Sequence, residues 1–447
     1  MAEMITIQGN EKLPAAILVG LDTERDAARF ERSMRELKEL AKACDLNVVS
    51  TITQSNSEVS QATLIGSGKV EEVKSELYIQ DADIVVFNQT LSPMQIRNLE
   101  KAFDAEVIDR TGLILQIFSE RARTREAKLQ VESAKLQYLL PRLSGMRSGL
   151  SRQGGGSGRL SNKGAGETKL ELDRRRIEHR LSELRKELDG IDQERSTQRE
   201  KRLNSGITRV SLVGYTNAGK STLLNKMLSM YGESENTEQK QVLEKDMLFA
   251  TLDTTVRKIT PDSHRPFLLT DTVGFIDELP HTLVKAFRST LEEARYADLL
   301  LEVIDFSDPD YMAHMEVTDK TLNEIGAGTI PRIYVFNKAD LTTEDTADGD
   351  TVVSIKSGFK IPYVRDQRIY MSARTGAGMP ELLTLIEQQL EGTTVTCDMI
   401  IPYTAGNVLN ELSHNGVIEQ TEYLPEGTKI RVKCSERDAK RFGGYRV

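Results

Sequence analysis

The chain is 447 residues long, enough for two to four domains that each bury a core. Its net charge of −9 argues against a global affinity for nucleic acid, and its three distant cysteines, with no CxxC pair, argue against a disulfide framework or a zinc site. No run approaches the roughly 18 apolar residues of a membrane span, and the start, MAEMITIQGNEKLP, has no basic leader region. The expectation is a cytoplasmic monomer with no integral membrane segment.

Residues 1–110 alternate short apolar runs with amphipathic stretches. AAILVG, NVVSTI, DIVVFN and AEVID have the character of strands, while TERDAARFERSMRELKELAKAC, GSGKVEEVKSELY and SPMQIRNLEKAF have that of helices. The βαβαβαβ order predicts a small parallel sheet flanked by helices. GSGK at Gly66 to Lys69 is not a phosphate loop, because Thr63 stands where the pattern needs glycine and Val70 where it needs a hydroxyl. It reads as the entry to a helix.

Residues 111–205 form a helical hairpin by their pattern. TGLILQIFSERARTREAKLQVESAKLQYLLPRL is a helical stretch with Leu129, Leu136, Leu140 and Leu143 near heptad spacing, and Pro141 is expected to bend or end it. SGMRSGLSRQGGGSGRLSNKGAGETK, rich in glycine, serine and basic residues, has nothing with which to bury a core and is expected to be a flexible loop. LELDRRRIEHRLSELRKELDGIDQERSTQREKRL is the second charged helix. From Arg121 to Ser205 the chain carries 21 Lys and Arg against 12 Asp and Glu, although the whole chain is acidic. Arg147, Arg152, Arg159, Lys163 and Lys169 stand among the glycines with only Glu167 opposing, a charge pattern suited to an anionic partner.

From 206 to 392 strands and helices alternate again: RVSLVG, PFLLTD, DLLLEVID, RIYVFN and RIYMSA are the expected strands of a doubly wound P-loop domain. GYTNAGKS follows the first of them and opens a helix, as the Walker A pattern requires. It comprises Gly214, Tyr215, Thr216, Asn217, Ala218, Gly219, Lys220 and Ser221. The glycines permit the turn whose N–H groups face the β-phosphate, Lys220 is placed to span the β- and γ-phosphates, and the Ser221 hydroxyl to meet Mg²⁺. DTVG (Asp271, Thr272, Val273, Gly274) supplies a carboxylate that orients Mg²⁺ through water and, at Gly274, an N–H for the γ-phosphate. Upstream, LFATLDTT offers Thr251, Thr254 and Thr255 as equal candidates to close the Mg²⁺ shell.

NKAD (Asn337, Lys338, Ala339, Asp340) names the base. Asp340 can accept from guanine N1–H and its N2 amino group, Asn337 holds the loop and meets the base edge, and Lys338 lies along the ring. Adenine offers no donor at either position, so the carboxylate would stay unpaired at a cost of about 1–3 kcal/mol. SAR (Ser372, Ala373, Arg374) is placed to set the Ala373 N–H on guanine O6. Phe275, after DTVG, cannot orient a water as a glutamine would, so hydrolysis is expected to be slow until a partner completes or orders the site. Residues 393–447 read β-α-β-β, a small α+β unit with no interpretable motif, and the five histidines are scattered without metal-ligand spacing.

GYTNAGKSTLLN, LFATLDTT, DTVGFIDELPH, NKAD and RTREAKLQVESAKLQYLLPRL with its glycine-rich loop resemble HflX, a family of translation-factor-related GTPases in the Obg-HflX superfamily. The resemblance covers roughly residues 13–392. It implies an α/β N-terminal domain, a helical hairpin reaching the peptidyl-transferase region of the large ribosomal subunit, and a role in splitting or rescuing stalled ribosomes under stress. It also implies GTP and GDP as ligands with Mg²⁺, hydrolysis of ATP as well as GTP, and a nucleotide site that includes Phe249, Ala250, Thr251, Leu252 and Asp253, with Thr251 as the Mg²⁺ threonine. Two features depart from the pattern: the polar SMYGESENTEQKQVLEKDM is longer than usual, and the βαββ tail occurs in only part of the family. The alternatives to a ribosome-activated GTPase are a ribosome-assembly checkpoint and a protein-directed regulator that does not act on RNA.

Overall fold

The computed structural model describes residues 13–24, 26–56, 58–144, 164–204, 207–232, 249, 255–261, 266–277, 293–345, 352–354, 360–390 and 394–447. The basic tip at 145–163 and the polar segment at 233–248 lie outside them.

The first unit runs β1 (Ala15–Asp22), α1 (Ala27–Ala43), β2 (Asn47–Ser55), α2 (Ser67–Gln80), β3 (Ile84–Phe87), α3 (Pro93–Phe103) and β4 (Glu106–Asp109). Its strands are all parallel, in the order β2-β1-β3-β4. The continuous apolar runs of β1 and β3 are buried because helices cover both faces, as parallel sheets require. Gly66 is the N-cap of α2, and Lys69 pairs with Glu72 at 2.8 Å, so GSGK is a helix entry. Ser92 and Gln95 form a reciprocal capping box at α3.

The expected single helical stretch is broken in two, α4 (Arg110–Arg121) and α5 (Arg125–Ser144). The break is local chemistry: the Thr124 hydroxyl accepts the Ala127 N–H at 3.1 Å and starts a new helix. Pro141 does not end α5, which continues to Ser144. Asp109 holds the turn around it, accepting from Tyr138 at 2.5 Å and from Arg142 at 2.9 Å, while Arg142 donates to the Tyr138 carbonyl at 2.7 Å. The second hairpin helix, α6 (Gly164–Asn204), begins six residues before Leu170, in GAGETK, which composition assigned to the loop. Gly costs about 1 kcal/mol relative to Ala in a helix, and propagation from a long formed helix offsets it. Arg180 grips Glu132 with two bonds of 2.7 and 2.9 Å, tying α6 to α5.

The second unit is a seven-stranded sheet, built on β5 (Thr208–Val213), β6 (Thr255–Ile259), β7 (Phe267–Asp271), β8 (Leu299–Asp305) and β9 (Arg332–Asn337). Between β5 and β6 lies α7 (Lys220–Tyr231), and between β8 and β9 lies α8 (Tyr311–Glu324). A separate two-stranded ribbon, β10 (Thr343–Asp345) and β11 (Val352–Ser354), follows, then β12 (Tyr363–Arg365), β13 (Arg368–Tyr370) and α9 (Met379–Leu390). The sheet order is β12-β13-β9-β8-β5-β7-β6, parallel except at its two edges, where β12 and β6 run antiparallel. Both edge strands are short and lack the apolar runs that identify the five expected strands. The last unit is β14 (Thr394–Ile401), α10 (Gly406–Asn415), β15 (Val417–Leu424) and β16 (Gly427–Ser435), the expected βαββ, followed by the short α11 (Glu436–Arg441). Its sheet is antiparallel in the order β14-β16-β15.

The first two units share a core. Leu113, Ile114 and Phe118 of α4 cluster with Phe249, Val273 and Ile276 of the second unit, and the Phe118 and Phe249 rings meet edge to face at 4.7 Å. The carboxyl edge of the first sheet, where open α/β sheets take up ligands, carries Asn88 after β3 and Arg110 after β4, and this edge faces the second unit.

Candidate functional site

β5 ends in a turn that only glycine can make. Gly214 has φ +138°, and a Cβ there would stand 2.2 Å from the Val303 carbonyl oxygen; Gly219 has φ +94°, and its Cβ would stand 2.2 Å from Asn337 Nδ2. The turn leads into α7, whose first residue is Lys220. The Lys220 ammonium is buried and donates to the carbonyls of Gly214 at 3.0 Å and Tyr215 at 2.7 Å. Burial pulls its pKa down to about 8 against the opposing pull of Asp271.

Ser221 Oγ donates to Asp271 Oδ2 at 2.8 Å, which brings together the hydroxyl and carboxylate expected near Mg²⁺. Among the described residues no group of three His, Cys, Asp or Glu forms a metal cage. A hydroxyl and one carboxylate fit an ion that takes most of its ligands from phosphate and water, which is how Mg²⁺ is usually held.

The two switch segments behave differently. Of DTVG, Thr272 is fully buried and donates to the Leu212 carbonyl at 2.6 Å, and Val273 enters the shared core, so these two side chains fix the segment. Gly274 lies against the loop: a Cβ there would meet Thr216 Cα at 2.8 Å and Lys220 Nζ at 3.0 Å. The ring of Phe275 is 3% exposed and packs with Val213, Leu300 and Leu322. Its backbone, not its ring, belongs to the site: Phe275 N–H donates to Gly214 at 3.1 Å, and Thr216 N–H to the Phe275 carbonyl at 2.8 Å. Of the first switch, Phe249 is buried against Phe118, and Thr255 pairs with Asp271 as the start of β6. Ala250, Thr251, Leu252, Asp253 and Thr254 lie outside the described residues.

At the base loop Asn337 joins two segments, its Nδ2 donating to Ala218 at 2.9 Å and its Oδ1 accepting the Ala373 N–H at 2.8 Å. The Ala373 N–H expected on guanine O6 is therefore engaged by Asn337, whose carboxamide lies between the phosphate loop and SAR. Lys338 pairs with Asp305 at 2.7 Å. Asp340 stands half-exposed on a short turn, Ser372 is buried, and Arg374 is exposed.

Residues that sequence reasoning missed come from the first unit. The Tyr215 hydroxyl turns away from the phosphate cradle and donates to Glu36 Oε1 at 2.5 Å, while its ring stacks on His314 with centroids 4.0 Å apart. Burial first, then the Glu36 carboxylate, pushes the tyrosine pKa up, so the hydroxyl keeps its proton. Arg110 pairs with the second oxygen of Glu36 and donates to the Asp277 carbonyl at 3.2 Å. Only distance in sequence hides this group, since Glu36 reads as one of several charges on an amphipathic helix.

A glycine turn between β5 and a helix, a Ser–Asp pair at its mouth and NKAD at the end of β9 define the class, a P-loop GTPase. Three family models match in succession: GTP-binding GTPase N-terminal over 31–119, GTP-binding GTPase Middle Region over 121–202 and 50S ribosome-binding GTPase over 209–338. The chain is 42% identical over 405 residues to GTPase HflX of Caldanaerobacter subterraneus subsp. tengcongensis, covering 91% of this chain and 88% of that one. It is 43% identical over 407 residues to GTPase HflX of Alkalihalophilus pseudofirmus, covering 91% and 90%. Among solved structures it is similar to a GTP-binding protein from Sulfolobus solfataricus in complex with GDP, at 22% identity and a TM-score of 0.42, covering 84% and 98%. The chain belongs to the HflX family of GTPases.

Proposed function

We propose that this GTPase takes GTP with Mg²⁺ in the cradle between Gly214 and Ser221, and that the large ribosomal subunit stimulates its turnover, so that hydrolysis is coupled to splitting or rescuing stalled ribosomes. The observation that carries the reading is the close approach of Gly274 to the phosphate loop: a Cβ there would stand 2.8 Å from Thr216 Cα and 3.0 Å from Lys220 Nζ, so only glycine brings this backbone beside the lysine assigned to the γ-phosphate. Lys220 neutralises phosphate charge, Gly274 gives its N–H to the γ-phosphate, Ser221 and Thr251 hold the ion, and Asp271 orients the ion's water shell. Mg²⁺, when bound, supplies neutralisation of the charge that develops on the β- and γ-phosphates.

The guanine preference is assigned to Asp340, with Asn337 holding the base loop to the phosphate loop. The buried ring of Phe275 leaves the attacking water without a polar partner at that position, which supports a dependence on the ribosome. The match to the 50S ribosome-binding GTPase model supports the same partner. The test is GTP turnover with and without purified large subunits. A large rise is expected; turnover that ignores large subunits, or rises only with immature particles, overturns the ribosome-splitting reading.

A further inference from the structure

Four residues from two units close a ring of polar contacts at the seam. Tyr215 donates to Glu36, Arg110 pairs with the other Glu36 oxygen and donates to the Asp277 carbonyl, and the Asp277 N–H donates back to the Tyr215 hydroxyl at 2.9 Å. Arg110 is further fixed by Asn88 at 3.0 Å, and Asn88 by Ser33 at 2.8 Å. Arg110 is 2% exposed, so its charge is withdrawn from water and Glu36 is its compensation.

The ring sits across the reacting segments. Tyr215 precedes Thr216, whose N–H holds the Phe275 carbonyl, and Asp277 is three residues beyond Gly274. Fixing Asp277 to Tyr215 ties the far side of the short stretch that carries Gly274 to the phosphate loop, beside the Thr216–Phe275 contact. We propose that Glu36 and Arg110, from the N-terminal unit, are positioning residues for GTP hydrolysis that act through Tyr215 and Asp277 to hold Gly274 against the phosphate loop. The inference rests on the reading of Gly274 as a γ-phosphate donor. GDP has no γ-phosphate, so the ring distinguishes the two nucleotides: it supports GTP and leaves GDP indifferent.

The experiment is equilibrium binding of GDP and of a nonhydrolysable GTP analogue, together with single-turnover GTP hydrolysis, on the full chain. Glu36→Ala is expected to weaken analogue binding and slow hydrolysis about tenfold, the scale of one lost charge-assisted hydrogen bond, with GDP affinity within about twofold of the parent. Glu36→Gln keeps an acceptor for the Tyr215 hydroxyl but leaves the buried Arg110 charge uncompensated, and is expected to recover part of the loss. Tyr215→Phe removes one oxygen atom and keeps the stack on His314, so it tests the ring in a protein that folds even where Glu36→Ala does not. The Glu36→Ala, Tyr215→Phe double variant is expected to lose no more than the worse single, because both open the same ring. Equal losses for GDP and the analogue, or additive losses in the double variant, overturn the positioning role. A parent chain that hydrolyses GTP, with a Glu36→Ala variant that matches it, sinks this inference alone. A parent that neither prefers the analogue nor hydrolyses GTP sinks the reading of the site as well.

Discussion

Two positions, one in the site and one in the sheet beneath it, carry predictions at the scale of a single residue. Gly274 has no room for a side chain because Thr216 backbone stands 2.8 Å from where its Cβ would be. Gly274→Ala is expected to slow single-turnover hydrolysis about a hundredfold, the usual effect of losing one aligned donor, with GDP still bound; a rate within a few-fold of the parent removes Gly274 from the γ-phosphate. Glu302 lies deep in β8 beside Arg332 at 3.2 Å. Burial, then the neighbouring Asp319 carboxylate, pushes its pKa from 4.5 up to about 7, against the opposing pull of Arg332. The folded chain therefore holds this proton over a pH range where the unfolded chain has released it. Its stabilising contribution is complete below pH 4.5 and is lost as pH rises towards 7. Thermal melts across that window are expected to show a shallower pH dependence in Glu302→Gln than in the parent; identical slopes assign the dependence to other groups.

At the scale of the element, the hairpin base is held by one carboxylate. Asp109 is fully buried and accepts from Tyr138, Arg142, the Leu91 N–H at 3.0 Å and the Gly112 N–H at 2.8 Å. Removing it strands four donors, so Asp109→Ala is expected to cost about 3–5 kcal/mol in urea unfolding, against about 1–2 kcal/mol for Tyr138→Phe, which deletes one hydrogen bond. Equal costs would show that the four contacts do not act through Asp109. The inner strands β1 and β3 of the N-terminal sheet and β5, β7, β8 and β9 of the GTPase sheet were legible because buried parallel strands are apolar runs. The edge strands β6 and β12 were not, since an edge strand of three to five residues carries no such run. The loop motifs were legible as chemistry, but the partners of Asn337 and Lys338 were not, because the residues they meet, Ala218, Ala373 and Asp305, lie 33 to 119 positions away. The new helix at Thr124 had a signal, a hydroxyl at an N-cap position, that the longer heptad pattern obscured.

For the whole molecule, charge is divided between an acidic body and a basic hairpin, and the ribosome-directed reading depends on that division. Neutralising Arg147, Arg152 and Arg159 is expected to weaken association with large subunits and to lower the log–log salt slope by about 2 to 3, with nucleotide affinity unchanged. A variant that loses GTP binding instead contradicts the separation of the two tasks. The separation is not complete, however. The N-terminal unit presents Glu36 of α1, backed by Arg110 at the carboxyl edge of its sheet, to a tyrosine that belongs to the phosphate loop. On the proposed positioning role, an exchange of either unit between relatives is expected to slow GTP hydrolysis unless Glu36 and Tyr215 travel together. A chimaera that imports a loop without Tyr215, or a first helix without Glu36, inherits working parts that no longer recognise one another, and the mismatch lies at a position that phosphate binding alone leaves free to vary.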